Sequence, residues 1–383
     1  MRAIHQSSVV GVVIGHGGYN EMGLVRSCGE AGMSVAFVAP EDIIMPIYKS
    51  KYISKWYKTD IVDSQSLMDT VRTVAKDFNG KKIVIFPASD LVAELIDRNF
   101  SALSELAIIP HAKGNLKSLM DKAEMVRIAK DAGLQVPYSV KFDLRENPSP
   151  HFPLPCIIKP LRSISGDKED ITICRDEQTF SDAITRYKSK GFYEILIQSF
   201  VSGTNQEEIA VTGVALPNGE IITHGIVHKK RIRGNGSTVF ATFKPDADSE
   251  LQSGIRRFIA KCGYQGIFDI EFLHNDSGYH FIECNFRNGA YGYAITKSGF
   301  NMPHVFSLES LGMRIPEIKL REITFMEERS DLLNVLDHTI TPFQWIKDIM
   351  STDTFLWWNI RDSKPMIRIP ASIKRLFSKR ALS

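Results

Sequence analysis

Apolar positions in the first hundred residues fall in short, nearly unbroken runs. Residues 9–14 form one, residues 34–38 a second, and residues 83–86 a third that stops at Pro87. Such runs belong to strands buried on both faces of a parallel sheet. Residues 21–31 have helical spacing between the first two, so strand and helix alternate and an open α/β sheet is predicted. Beyond Ser118 the pattern changes. Asp121-Lys122 opens a helix through Ala132 that Gly133 ends as a C-cap. Residues 147–155 are proline-rich and read as a loop. Residues 156–160 and 194–200 read as strands, 180–190 as a helix. A hairpin around Pro217-Asn218-Gly219, a basic strand at 228–233 and a helix at 249–262 follow. Residues 331–338 and 342–350 again look helical.

The stretch with most chemical content is 268–288, F-D-I-E-F-L-H-N-D-S-G-Y-H-F-I-E-C-N-F-R-N. Two alternating strands flank Asp276-Ser277-Gly278, which predicts a β-hairpin. Period-two alternation puts Glu283, Asn285 and Arg287 on one face, with Glu271 opposite them. Two carboxylates and an amide oxygen make a hard, oxygen-only donor set that suits Mg²⁺ rather than zinc. The arginine beside them suits a transferring phosphate.

Composition narrows the function classes. A chain of 383 residues exceeds one ordinary core, so two or three domains are expected. The net charge of +3 is too small to point to nucleic acid. The five cysteines are scattered with no C-x-x-C pair, against a zinc site or disulfide framework and for a reducing compartment. Residues 9–14 are too few for a signal-peptide core or a membrane span. A cytoplasmic enzyme is expected.

Gly15-His16-Gly17-Gly18 follows the first strand. It resembles a dinucleotide-binding turn but has Asn20 and Glu21 where the last glycine would fall. Its amides could hold a substrate carboxylate, or the turn could be purely structural.

The order D-K before a helix ending A-G-L-Q-V-P, then I-I-K-P, I-L-I-Q-S-F-V-S-G, and I-E-F-L…F-I-E-C-N-F-R resembles the ATP-grasp superfamily over residues 9–300. Within it the chain looks most like carboxylate–amine ligases of the D-aspartate-ligase-like and carbamoyl-phosphate-synthetase-like groups, with biotin carboxylase more distant. The resemblance implies an N-terminal Rossmann-like α/β domain in 1–114. It implies two ATP-grasp subdomains in 115–199 and 200–320, holding ATP between two antiparallel sheets, and a helical extension in 321–383. It further implies ATP with one or two Mg²⁺ ions, Mn²⁺ being compatible. The implied chemistry is formation of an acyl phosphate from a small carboxylate, followed by attack of an amine.

Residue by residue, the resemblance puts Lys122 and Lys159 on the α- and β-phosphates. The loop bearing Ser163, Ser165 and Gly166 would cover the phosphates, although it is poorer in glycine than in biotin carboxylase. Phe200 and Val201 would hold adenine through their backbone, with Gln198 on its amino group. Glu208, preferred over Glu207, would take the ribose. Metal ligands would be Glu271, Glu283 and Asn285. Arg287 and Arg231 would face the γ-phosphate and acyl group, with Arg233 nearby. Asp269 stands near the point where D-alanine-ligase-like members carry arginine; the resemblance leaves it as a group behind the metal ligands, an ammonium site or a buried partner of Arg287.

No G-x-x-x-x-G-K-[ST] loop occurs, which excludes a P-loop NTPase. An NAD(P)-dependent oxidoreductase built on the Gly15 turn, with Glu41 or Asp42 on the ribose, and a catalytically silent nucleotide-binding regulator are the competing readings. Phe355-Leu356-Trp357-Trp358 is expected to pack on the body. After Asp362 there is no acid, while Lys364, Arg368, Lys374, Arg375, Lys379 and Arg380 are basic. This tail reads as a solvated terminus or a weak peripheral contact with anionic membrane, without stable insertion. A homodimer is compatible with these features.

Overall fold

The computed structural model describes residues 8–40, 46–161, 170–233, 236–245 and 248–368. β1 (Val9–Ile14) is buried at every position. It pairs in parallel with β2 (Ser34–Ala39) and β4 (Lys82–Pro87), and β3 (Ile53–Lys58) adds to the far side of β2. α1 (Tyr19–Glu30), α2 (Ser64–Asp77), α3 (Asp90–Arg98) and the single turns α4 (Phe100–Leu103) and α5 (Leu116–Leu119) complete this unit. β3 escapes the sequence reading because it is an edge strand. Ser54, Lys55 and Lys58 are exposed, so its apolar pattern is broken.

α6 (Lys122–Asp131) is capped by Asp121, whose carboxylate accepts from the amides of Ala123 and Glu124. A four-stranded antiparallel sheet follows, from β5 (Ser139–Asp143), β6 (Cys156–Pro160), β7 (Thr172–Cys174) and β8 (Glu194–Ser199), in the order β5-β8-β6-β7. α7 (Glu177–Ser189) covers one face through Phe180, Ile184 and Tyr187, which meet Ile158, Ile195 and Ile197. Alternation therefore turns Lys159 and Gln198 to the other, open face.

The largest sheet runs β14-β13-β9-β11-β12-β15-β16, with β10 on β9. Its members are β9 (Glu207–Ala215), β10 (Ile221–Thr223), β11 (Ile226–Arg233), β12 (Ser237–Lys244), β13 (Gly266–Asn275), β14 (Gly278–Asn285), β15 (Ile323–Met326) and β16 (Thr354–Phe355). α8 (Ser249–Cys262) and α6 bury one face against Ile209, Val211, Ile270 and Phe272. On the hairpin, Asp269 is opposite Asn285 and Glu271 opposite Glu283. Cross-strand neighbours share a face, so these four polar residues line the side away from α6 and α8.

α9 (Gly292–Ser298) and α10 (Met302–Ser310) tie this sheet to the first one. Phe37 and Phe86 share a core with Val214, Phe243, Tyr293 and Phe306. That joint core fixes the carboxyl ends of β1 and β4 against the polar face of the large sheet. The C-terminal extension is not only helical: besides α11 (Glu328–Leu336) and α12 (Pro342–Met350) it supplies β15 and β16, because Ile323, Phe325 and Met326 are apolar and buried. It also locks onto α1. Arg26 and Asp362 form a buried ion pair at 3.1 Å, Arg26 donates to the carbonyls of Leu356 and Trp357, and Trp357 Nε1 donates to Glu327 at 2.6 Å. Among the described residues, no helix is long and apolar enough to cross a membrane.

Candidate active site

The three sheets enclose a cavity of about 330 Å³. Its walls bring together Lys122, Lys159, Asp269, Glu271, Glu283, Asn285 and Arg287, residues spread over 166 positions of sequence. Tyr19 and Asn20 at the start of α1 and Asp90 at the start of α3 close it on the N-terminal side.

Both lysines are nearly buried, at 6 % and 5 % exposure for Lys122 and Lys159. Lys122 Nζ lies 3.5 Å from Glu283 Oε2, and Lys159 Nζ donates to Gln198 Oε1 at 3.0 Å. Burial, and then the neighbouring Lys122 charge, pull the Lys159 ammonium down to about 8, with Glu283 opposing. Two cations held this close in a low-dielectric wall favour a polyanion between them.

On the facing sheet Glu271 is met by a cation that sequence reasoning missed. Lys229 Nζ is 2.6 Å from Glu271 Oε2 and 3.7 Å from Glu208 Oε2, with its side chain 1 % exposed. Burial acts to discharge Lys229, but Glu271, Asp269 and Glu208 together hold the ammonium above its ordinary value. The available signal was the period of two along the strand: Lys229 follows Val227 by two positions and so shares its buried face.

Asp269 is 2 % exposed and accepts from Tyr291 Oη at 2.6 Å. Burial and then the Glu271 charge raise its pKa. It is not the ion-pair partner of Arg287. That partner is Asp90, with Nε to Oδ1 at 2.9 Å and Nη2 donating to Oδ2 at 3.2 Å. The 2.9 Å contact is close without being an aligned hydrogen bond. Arg287 Nη2 also donates to Asn285 Oδ1 at 3.2 Å, so the arginine joins the hairpin to the N-terminal unit. Asp90 had a signal too: it is the first acid after a parallel strand, and ligands gather outside the carboxyl ends of such strands.

Several expected roles do not fit. Arg231 lies outside the cavity, bonded to Asp331 at 2.6 Å and Asp348 at 2.8 Å and stacked over Phe240. A bulge in β11 carries it there. Lys229 pairs with Ala241 and Arg231 with Phe240, so one extra residue reverses the alternation. Arg233 pairs with Asp337, also in the extension. Gln198 is not free for adenine: it accepts from Lys159 and donates to Ser139. Phe200 and Val201 do not line the cavity; the Phe200 amide donates to Pro155 and Arg175 covers its ring. β9 begins at Glu207 rather than Glu208. Glu207 is engaged by His228 and Lys230, whereas Glu208 is the more exposed of the two. Ser163, Ser165 and Gly166 lie outside the described residues, as do Glu41 and Asp42.

The Gly15 turn holds an anion of its own. Glu21 Oε1 accepts from the His16 amide at 2.8 Å, and a Cβ at Gly15 would sit 2.1 Å from that oxygen. An internal carboxylate therefore fills the place where a substrate carboxylate or a dinucleotide pyrophosphate would bind.

Among the described residues, no three His, Cys, Asp or Glu side chains gather as a metal-binding group. The hairpin instead offers Glu271, Glu283 and the Asn285 amide oxygen, free of sulfur and imidazole. Both carboxylates already face lysine ammonium groups. A set of oxygen donors that attracts cations fits Mg²⁺.

Residues 128–294 match the ATP-grasp domain family model. The D-aspartate ligase of Enterococcus faecium is 21 % identical over 327 residues, covering 79 % of this chain and 76 % of that one. In fold, the chain is similar to the ADP complex of N5-carboxyaminoimidazole synthetase from Staphylococcus aureus, with a TM-score of 0.66, 16 % identity, and 87 % and 85 % of the two chains covered. It is also similar to the biotin carboxylase domain of 2-oxoglutarate carboxylase from Hydrogenobacter thermophilus, bound to MgADP, with a TM-score of 0.63, 17 % identity, and 82 % and 73 % covered. The two buried lysines, the oxygen-only hairpin and these likenesses agree with the match of residues 128–294 to the ATP-grasp domain family.

Proposed function

We propose that the cavity activates a small carboxylate with ATP and hands the acyl group to an amine. The protein is an ATP-dependent carboxylate–amine ligase that uses ATP and Mg²⁺. The observation that carries this reading is the meeting, in one cavity, of Lys122 and Lys159 from one side with Glu271, Glu283, Asn285 and Arg287 from the other.

The roles follow from charge and position. Lys122 and Lys159 hold the ATP phosphates, and Glu271, Glu283 and Asn285 hold Mg²⁺. When bound, Mg²⁺ neutralises charge on the phosphate oxygens. Arg287, with its planar fork, steadies the transferring phosphoryl group and the oxyanion formed on amine attack. Asp90 and Asn285 orient that fork. Lys229 orients Glu271 from beneath, and Tyr291 does the same for Asp269. Glu208, whose side chain is more exposed than that of Glu207, is the ribose ligand in this reading. The carboxylate substrate enters between the hairpin and Tyr19, Asn20 and Asp90. An amino acid is its proposed class, in keeping with the D-aspartate ligase among the relatives. The division into units 1–114, 115–199, 200–320 and 321–383 belongs to the same reading. So does a cytoplasmic location, which five free, buried cysteines suit.

The test is to trap the intermediate. With ATP, Mg²⁺ and a panel of amino acids, hydroxylamine should convert an acyl phosphate into a hydroxamate, with one ADP released for each. ATP binding without hydroxamate or ADP across the panel would leave a nucleotide-binding regulator as the better reading.

A further inference from the structure

Two of the five cysteines stand directly opposite each other. Cys156 opens β6 and Cys174 ends β7, and the antiparallel register makes them cross-strand partners. Both belong to the core that α7 covers, with Ile158, Phe180 and Tyr187, so their side chains share one face of the sheet. The Cys156 thiol hydrogen-bonds to the Cys174 sulfur, and the Cys174 thiol donates to the Thr179 carbonyl at 3.9 Å. Directly opposed residues of an antiparallel pair have Cα atoms about 4.5–5.5 Å apart, within the span that a disulfide bridges. Register brings this pair together; no C-x-x-C spacing announces it.

In the closed sheet both thiols are fully buried. Burial pushes Cys156 up to about 12 and raises Cys174 as well, which keeps the pair quiet toward reagents in solvent. β7 supplies the access. It is three residues long, lies at the edge of its sheet and, among the described strands, pairs with β6 alone. Ile171 and Ile173 on its outer face are 46 % and 45 % exposed. A short edge strand of this kind opens locally while the rest of the sheet stays folded. At Cys174 the hydrogen bond from Cys156 and the Arg186 charge both oppose the effect of burial, so Cys174 is the sulfur that reacts first.

We infer that Cys156 and Cys174 are a redox modification site and form a reversible disulfide when the protein meets a peroxide. The peroxide passes one oxygen to the Cys174 sulfur, giving a sulfenic acid and a water. The Cys156 sulfur attacks that sulfur, forms the S–S bond and expels hydroxide, which takes the Cys156 proton and leaves as a second water. Two thiols are oxidised and one peroxide is reduced. The bond fastens the edge of the sheet to β6, the strand that carries Lys159. A transient disulfide that thiol reductants reopen suits a reducing compartment. Neither cysteine lines the catalytic cavity, so this chemistry stands apart from the ligation proposed above.

The experiment treats the reduced full chain with hydrogen peroxide under native conditions, blocks the remaining thiols in denaturant and maps the peptides by mass spectrometry. Two of the five thiols should be lost, and the protein should become lighter by two hydrogen atoms. A peptide linking Cys156 to Cys174 should be at least about tenfold more abundant than any other linked pair, and dithiothreitol should remove it. In Cys156→Ala, Cys174 should stop at a sulfenic acid that dimedone labels. Five intact thiols after native treatment overturn the inference. So does a link from either residue to Cys28, Cys262 or Cys284, or overoxidation of both sulfurs without a link. A Cys156–Cys174 link that forms only in urea would belong to the unfolded chain and likewise overturn it.

Discussion

Lys229 and Arg231 lie two residues apart on one strand and point to opposite faces of the sheet. Lys229 pairs across with Ala241 and contacts Glu271 in the cleft; Arg231 pairs with Phe240 and is locked to Asp331 and Asp348. The extra residue between them, Lys230, decides which cation serves the site and which holds the C-terminal extension.

The two lysine and arginine substitutions should therefore separate. Arg231→Met leaves Asp331 and Asp348 without their counter-charge, and Asp331 is fully buried. Loss of about 3–5 kcal/mol of stability is expected in urea unfolding, with turnover per folded molecule kept. Lys229→Met should lose about 10–100-fold in Mg²⁺-dependent ADP release per folded molecule. If both variants lose only stability, Lys229 has no part in the site.

Glu283→Ala should abolish Mg²⁺-dependent turnover while the fold survives. Its carboxylate faces both Glu271 and Lys122, and no neutral group supplies the same attraction for a divalent ion. ADP release above about a tenth of wild type would remove Glu283 from the metal set, since loss of a direct ligand should cost more than the 10–100-fold of an outer-shell change.

Lys159→Met should weaken ATP binding by about 1.5–3 kcal/mol, the value of one charge-assisted contact, and leave adenosine binding nearly unchanged. Equal losses in calorimetry would mean a structural lysine.

The same residue sets a pH dependence. Its folded-state pKa of about 8 lies below the unfolded value of about 10.4. Between those values the unfolded chain binds more protons than the folded one, so stability of the nucleotide-free protein should rise with pH across that window. ATP affinity should move the other way, flat below about pH 8 and falling by up to about tenfold per unit above it. Affinity titrations from neutral to alkaline pH should show the bend in wild type and lose it in Lys159→Met.

Arg287→Lys keeps the charge and loses the fork. It should lower kcat by about two orders of magnitude with ATP affinity nearly unchanged. Asp90→Asn tests the partner. It should lower kcat in the same direction by loosening the Arg287 orientation, whereas Asp269→Asn should leave Arg287 in place. A variant destabilised but catalytically normal per folded molecule would exclude Arg287 from the mechanism.

The sequence by itself determined whatever depends on near neighbours in the chain. The unbroken apolar run at β1, the Asp121 cap of α6 and the Asp276-Ser277-Gly278 turn each set their element through local backbone preference and burial pattern. The turn set the hairpin register as far as Phe272 and Phe281; a bulge beyond them, which the sequence does not mark, brings Glu271 opposite Glu283. Lys122 and Lys159 were legible through resemblance, because their flanking motifs are contiguous. The tertiary structure alone decided what depends on the third dimension. One inserted residue in β11 moved Arg231 out of the cleft, and a register slip of this kind leaves no mark on composition. Glu21 filled the glycine turn because α1 folds back over it. Asp90 met Arg287, 197 positions away in sequence, because a joint core presses the parallel sheet against the large antiparallel one. Ion pairs at such separations arise from packing between sheets, and no local propensity encodes them.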